Sequence, residues 1–281
     1  MCIDTLVDGV HFDRRTSPRA LGHKALAVNL SDIAAVGGRP LAALAGLTTP
    51  WGAGPPADAH WLDELATGLL ALADAHRVAW RGGRLSAGPL SITVEVSGAL
   101  AGPRPLTRAG ARPGDRIYVT GTLGDAGGAL ALDLARLPAA DRQWLRERLD
   151  LPTPRVAAGA ALAGLASAAI DLSDGLVSDL GHLVAASRVG AVVECARLPL
   201  SPPLRAHAGP RAMALALSAG DDYELLFTLP PASEAALDAL APGLGCPVTR
   251  IGEIGAATDP AVRWLDPAGR PFTPRPGFVH F

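Results

Sequence analysis

Asp171 and Asp174 stand three residues apart, with Ser173 between them, in the run Ala169-Ile170-Asp171-Leu172-Ser173-Asp174-Gly175. An apolar stretch ends in these polar residues, and helix-forming sequence follows. In α/β folds, ligands gather beyond the carboxyl ends of strands. Two carboxylates with a hydroxyl between them can converge on Mg²⁺, which takes oxygen ligands and commonly shares them with phosphate. A helix cap would account for Asp174 but not for Asp171 and Ser173, so metal binding is the favoured reading. Asp32 lies in the nearly all-apolar stretch from Ala20 to Val36 and shares a face with Asn29. A carboxylate there needs a partner, because an isolated buried charge is very costly. Taken alone, Asp32 fits a structural hydrogen bond better than a metal site. Asp4 sits inside the apolar run Cys2-Ile3-Asp4-Thr5-Leu6-Val7, where a charge is out of place. Asp221-Asp222 follows Gly220, and by itself this pair reads as a solvated turn; Arg108, after a loop, reads as a solvated arginine. The segment Gly121 to Asp125 is glycine-rich between a strand and a helix, which suits close approach of backbone to phosphate. It matches neither G-x-G-x-x-G nor a P-loop. The sequence has no H-E-x-x-H, and no G-x-S-x-G to support a hydrolase elbow.

These residues need elements to position them. Met1 to Phe12 reads as a strand already under way at the first residue. Ser17-Pro18 opens a helix, with a capping side chain followed by proline at the first helical position. The helix runs to Val36 and stops at Gly37-Gly38. A second helix is expected over about Ala57 to His76. Leu90 to Leu100 alternates Ile92, Val94 and Val96, the signature of a strand, and it is apolar for an edge. The loop-rich stretch from Gly102 to Gly114 marks a domain boundary, giving an N-terminal domain over 1–108 and a C-terminal domain over 109–281. Beyond it, strand and helix alternate, which predicts a layered α/β domain. The strands carry Ile117-Tyr118-Val119, Ala168 to Leu172, Val192-Val193, Tyr223 to Leu229 and Val248 to Ile254. A hairpin is expected around Asp266 to Gly269.

Composition excludes several classes. Lys+Arg is 25 and Asp+Glu is 27, a net charge of -2, so nothing points to a nucleic-acid partner. No apolar run approaches the ~20 residues of a membrane span, and no signal peptide is visible. Cys2, Cys195 and Cys246 form neither a C-x-x-C pair nor a metal-ligand spacing. Sparse, odd-numbered cysteine suits a reducing compartment, and the expectation is a cytoplasmic protein.

In order along the chain, the segments Asp4 to Phe12, Leu21 to Pro40, Gly88 to Gly98, Leu106 to Gly128, Pro152 to Val156, Ala169 to Ser187, Gly220 to Pro230 and Gly277 to Phe281 resemble the thiamine-monophosphate kinase family. That family stands in the superfamily of aminoimidazole-ribonucleotide synthetase and selenophosphate synthetase. Asn29 to Ala35 and Ile170 to Leu176 are its specific motifs. The resemblance implies an aminoimidazole-ribonucleotide synthetase-like fold: an α+β N-terminal domain that dimerises with its twin, and a layered α/β C-terminal domain beside it. It implies an enzyme that uses ATP and Mg²⁺ to phosphorylate thiamine monophosphate to thiamine pyrophosphate. Carried over position by position, Asp4, Asp32, Asp171 and Asp174 are expected as metal ligands. Gly83, Arg108 and Ser173 are expected as nucleotide contacts, and His11, Asp221 and Phe278 as substrate contacts. Such a set suits phosphoryl transfer, which rests on positioning and charge neutralisation. A ring at Phe278 could cover the flat thiamine rings, and Asp221 could meet their positive charge.

The chain departs from the family pattern at several positions, among them Ala87, where the family places an Arg. An upstream G-D-D-x-A motif is absent, and Arg84 stands in Trp80 to Gly88 where the family places a metal-binding Asp. Asp221 replaces a usual Glu, and Phe278 a common Tyr. An arginine beside the metals would shift the local charge by about two units, worth several kcal/mol at close range. Two alternatives to an active kinase therefore stand: an impaired relative that only binds nucleotide or thiamine phosphate, and a related synthetase acting on another small phosphate acceptor.

Overall fold

The computed structural model describes residues 1–13, 15–50, 59–259 and 261–277. Its first part comprises β1 (Cys2–Val7), α1 (Pro18–Ala35), β2 (Gly38–Thr49), α2 (Ala59–Ala75), β3 (Ala79–Ala87) and β4 (Ser91–Leu100). The second part follows with β5 (Arg116–Thr120), α3 (Asp125–Ala131), α4 (Ala139–Asp150), α5 (Val156–Leu162), β6 (Ala168–Asp171), α6 (Leu176–Ser187) and β7 (Gly190–Glu194). It ends with α7 (Pro202–Ala208), α8 (Ala212–Ser218), β8 (Leu225–Leu229), α9 (Glu234–Leu240), β9 (Val248–Gly255), β10 (Val262–Leu265) and β11 (Pro271–Phe272).

The first four strands form one sheet in the order β1-β4-β2-β3. β4 pairs antiparallel with both β1 and β2, so it is an interior strand and not the edge its composition suggested. The edges are β1 and β3. β2 and β3 were not legible as strands: β2 carries Pro40 and an alanine-rich stretch, and β3 carries Gly82-Gly83, residues that favour strands least. Pairing with neighbours overrides that preference. The other seven strands form a second sheet in the order β11-β10-β7-β9-β5-β8-β6. The expected layering is present, yet every pairing in this sheet is antiparallel except β10 with β7.

α1 is where the two halves meet. Ser17 Oγ accepts from Ala20 N at 3.2 Å and Pro18 opens the first turn, as the sequence predicts. Leu21, Leu26 and Leu30 are fully enclosed. A helix apolar all round must be covered all round, and α1 touches β1, β4 and α2 on the N-terminal side and α5 and β6 on the C-terminal side. The crossing with α2 is close enough that a Cβ on Gly22 would fall 1.9 Å from the Leu65 carbonyl oxygen, so no larger residue fits there. One apolar core runs from Leu6, Leu26 and Val94 through Leu162 to Leu225 and Phe227, and so spans both sheets. A second lies on the opposite face of the larger sheet and contains Ile117, Leu183, Val193 and Trp264. The cleft between the halves is therefore framed by rigid, shared packing.

Candidate active site

Three elements converge on one cleft. β1 alternates, and Asp4 lies on the same face as Leu6, toward α1. Asp32 and Ser31 lie on α1, and Asp171 ends β6. Ser31 Oγ donates to Asp171 Oδ2 at 2.6 Å, across the domain junction. Asp32 and Asp4 share a side-chain hydrogen bond. Burial, followed by the charges of Asp171 and Asp4, pushes the Asp32 carboxyl up to about 8, against an opposing pull from Arg108. Asp171 is also raised, chiefly by burial, while the Ser31 hydrogen bond and Arg108 work the other way. Asp179, in the first turn of α6, is pushed up to about 8 by burial and by Asp174 and Asp171; its Oδ2 accepts from Asp174 N at 3.1 Å. Carboxylates held this close without cations repel one another, and their hard oxygens match what a magnesium ion takes. Among the described residues, no three such groups close round a single point. The arrangement thus fits ions that draw their remaining ligands from water and phosphate.

Three cavities adjoin one another along the cleft. One of about 350 Å³ is lined by Arg108, Asp32 and Asp171 with apolar Leu106 and Ile33. A smaller one of about 130 Å³ is lined by Asp4, Asp32, Asp171, His11, Ser173 and Tyr223. The third, about 300 Å³, carries His11, Lys24, Ser173, Asp174, Asp221 and Tyr223. The middle cavity shares Asp32 and Asp171 with the first, and His11, Ser173 and Tyr223 with the third. The acid cluster therefore lies between a space with an arginine and a space with a lysine–aspartate pair. A phosphate chain entering from one side and an acceptor from the other would meet at the carboxylates.

The structure thus gathers Asp4, Asp32, Asp171, Asp174, Ser173, Arg108, His11 and Asp221 along one cleft. Gly83 is not among them. Asp4, Val94, Ala45 and Gly83 are successive partners across the four-stranded sheet, so Gly83 sits three strand spacings, about 14 Å, from Asp4. Arg84 belongs to the neighbouring row Thr5, Thr93, Gly46, Arg84, which points to the opposite, uncovered face. At about 14 Å through water, a unit charge is worth about 0.3 kcal/mol before salt screening. The several kcal/mol expected from an arginine beside the metals does not apply within one protomer. Phe278 lies outside the described residues. The described chain reaches Gly277, whose Cβ, were there one, would fall 2.4 Å from the Asp174 carbonyl oxygen.

The glycine-rich loop does not act as a phosphate cradle. Gly124 N donates to both carboxylate oxygens of Asp222 at 2.9 Å, and Gly121 N donates to the Pro247 carbonyl at 2.9 Å. Asp125 is taken up by Thr122, Trp144 and Ser201. The loop's donors are spent on the protein, and burial raises the Asp222 carboxyl well above the carboxylate range. Sequence reasoning also missed Lys24, Asp179 and Tyr223. Lys24 carried a usable signal, a cation within the apolar stretch of a helix, of the same kind that exposed Asp32.

The chain matches two family models, that of the AIR synthase related protein N-terminal domain over residues 1–101 and that of the C-terminal domain over residues 112–265. It is 46% identical over 257 residues to the thiamine-monophosphate kinase of Escherichia coli (strain K12), covering 90% of this chain and 78% of that one. To the enzyme of the same name from Haemophilus influenzae it is 40% identical over 284 residues, covering 99% and 85%. The crystal structure of thiamine-monophosphate kinase from Stenotrophomonas maltophilia K279a superposes with a TM-score of 0.86 at 44% identity, covering 94% of this chain and 84% of that one. AaThiL complexed with AMPPCP and TMP superposes with a TM-score of 0.85 at 32% identity, covering 99% and 86%.

Proposed function

The chain belongs to the AIR synthase related family, on its thiamine-monophosphate kinase branch, and from that premise we propose how this cleft phosphorylates thiamine monophosphate with ATP. A phosphate oxygen of the acceptor attacks the γ-phosphorus of ATP. The new P–O bond forms as the bond to the β-phosphate oxygen breaks, leaving thiamine pyrophosphate and ADP. Such a transfer depends on in-line positioning and charge neutralisation. The observation that carries this reading is the order of the three cavities, with the acid cluster between the Arg108 space and the Lys24–Asp221 space.

Asp4, Asp32, Asp171 and Asp174 would hold magnesium, and the fit rests on their hard oxygens and mutual repulsion. When bound, the metal neutralises phosphate oxygens. Arg108 faces the nucleotide side and adds a fixed positive charge. Ser31 orients Asp171 by its 2.6 Å hydrogen bond. His11 accepts from Val7 N through Nδ1 at 3.1 Å, which fixes its ring on the wall shared by the middle cavity and the acceptor cavity. Asp221 faces the cationic ring of the acceptor. The protein acts as a homodimer in this reading, through the uncovered face of the four-stranded sheet. Ile3 and Leu44 are 66% and 47% exposed there, on either side of Glu95, and apolar residues so placed mark an interaction surface. Among the described residues no helix is long and apolar enough to cross a membrane, and the cytoplasm, which holds ATP, is the expected setting. The direct test is incubation with ATP, Mg²⁺ and thiamine monophosphate, followed by phosphorus NMR. A new pyrophosphate ester is the expected product; ATP hydrolysis without it would sink the reading.

A further inference from the structure

Lys24 is the least expected charge in the molecule. Its side chain is 3% exposed, on a helix covered on all sides, and its Nζ lies 2.9 Å from Asp221 Oδ2. A buried ammonium without a counter-charge is strongly destabilising, so Lys24 depends on what Asp221 offers. The two partners are held very differently. Tyr223 OH donates to the other oxygen of Asp221, Oδ1, at 3.0 Å. Asp221 N donates to the Ser173 carbonyl and Tyr223 N to the Leu172 carbonyl, both at 2.8 Å. Gly220, Asp221 and Tyr223 all have positive φ, at 74°, 61° and 49°. A non-glycine residue in that region is strained and persists only where its surroundings fix it. Asp221 is therefore clamped, whereas the Lys24 ammonium rides on a flexible four-carbon stem.

The same cavity has one other cation among the described residues that line it, Arg146, and that one is committed. Its Nε pairs with Asp150 one turn along α4, and its Nη2 donates to Thr16 Oγ1 at 3.3 Å. Along α1, Val28 is one turn beyond Lys24 and already lines the middle cavity, with Asp32 a further turn on. Lys24 thus stands about 12 Å along the helix from Asp32, on the acceptor side of the acid cluster.

We propose that Lys24 and Asp221 together read the charge pattern of the acceptor and make the site selective for phosphorylated thiamine over free thiamine. This rests on the acceptor reading given above. Thiamine monophosphate carries a fixed positive charge in its thiazolium ring and a negative phosphate at the end of a short arm. The Lys24–Asp221 pair on the wall of this cavity supplies the complementary arrangement, one carboxylate and one ammonium side by side. On binding, the ring takes the charge of the clamped Asp221, and the mobile Lys24 turns to the phosphate, so one internal ion pair becomes two pairs with ligand. Free thiamine brings only the cation. It must either compete with Lys24 for Asp221 or leave a buried ammonium unpaired, and both are unfavourable.

Isothermal titration calorimetry on the full chain tests this with thiamine monophosphate and thiamine as probes, using the natural sequence, Lys24→Met and Lys24→Arg. The natural protein should prefer thiamine monophosphate by at least roughly tenfold. Lys24→Met should weaken thiamine monophosphate by roughly 30-fold or more while leaving thiamine unchanged or tighter, since its competitor for Asp221 is gone. Lys24→Arg should keep the preference. A loss shared equally by both ligands in Lys24→Met would show a merely structural lysine and overturn the proposal, as would an unchanged ratio. If Lys24→Met does not fold, two results remain decisive. Equal affinity of the natural protein for both ligands overturns the proposal, and so does a crystal structure with thiamine monophosphate in which Nζ stays on Asp221. A natural protein that binds neither ligand overturns the acceptor reading itself, an outcome distinct from either of these.

Discussion

Glu224→Gln should be among the most destabilising single changes in this protein. Glu224 has no exposed side-chain surface and accepts from four groups. Arg148 Nη2 lies 2.5 Å from its Oε1, Arg155 reaches it with Nε and Nη2 at 2.6 Å each, and Thr120 Oγ1 donates to Oε2 at 2.6 Å. Burial works against the Arg155 charge, but the Glu224 hydrogen bonds and charge more than offset it, and the guanidinium is held above its ordinary value. Arg148 and Arg155 are only 13% and 11% exposed, so water screens them little. The substitution keeps the shape, removes the charge and turns an amide toward two guanidinium groups. Breaking a buried pair by removing one partner costs about 3–5 kcal/mol, which for a chain of this size lowers Tm by about 6–10 °C. Urea unfolding followed by tryptophan fluorescence measures it, with an unchanged m-value confirming an effect on stability. Replacing Glu224, Arg148 and Arg155 together by apolar residues should recover much of the loss. A loss below about 1 kcal/mol would refute the reasoning, because the two arginines would then have found water despite their burial.

Other outcomes are equally specific. Asp32→Asn removes one of three mutually repelling carboxylates, so it should raise the melting temperature of the metal-free protein while lowering kcat by a factor of roughly 100 or more; a lower melting temperature with activity intact would contradict both halves. Changing Ile3 and Leu44 to glutamate should turn a dimer into a monomer in multi-angle light scattering; a natural protein that is already monomeric counts against the dimer. In that monomeric variant at physiological salt, where charges about 14 Å apart are largely screened, Arg84→Asp should move the magnesium half-saturation by less than roughly twofold; a larger shift would place the Arg84 side chain at the acid cluster of its own protomer. His23 Nε2 lies 2.9 Å from the Pro152 carbonyl, and burial holds its pKa below the ordinary 6.5. Its folded value is depressed, so its contribution is complete above pH 6.5 and is lost as pH falls below it, at up to about 1.4 kcal/mol per pH unit. His23→Gln should flatten the fall in Tm between pH 7.5 and pH 5.5, and an equally steep fall in the variant would rule His23 out.

The sequence by itself determined what depends on near neighbours. Ser17 and Pro18 set the start of α1 because a cap needs only its own first turn. Ile92, Val94 and Val96 mark β4 because alternation is a property of one strand. Asp171, Ser173 and Asp174 lie within four residues, so their grouping at the end of β6 was legible, and the apolar setting of Asp32 and Asp4 singled them out. Tertiary structure decided what joins distant parts of the chain. Lys24 meets Asp221 across 197 positions, and Ser31 meets Asp171 across 140. Nothing local in either member names the other. β2 and β3 are strands only because β4 and each other supply their partners. The glycine-rich loop looks like an anion site until Asp222, a distant residue, takes both of its oxygens to Gly124 N. Arg84 looks like a charge in the metal site until sheet register puts it three strands away and on the other face. A residue's type fixes the chemistry it can perform; which groups stand within 3 Å of it is set by packing, because burial forces each charge to find a partner wherever the fold brings one.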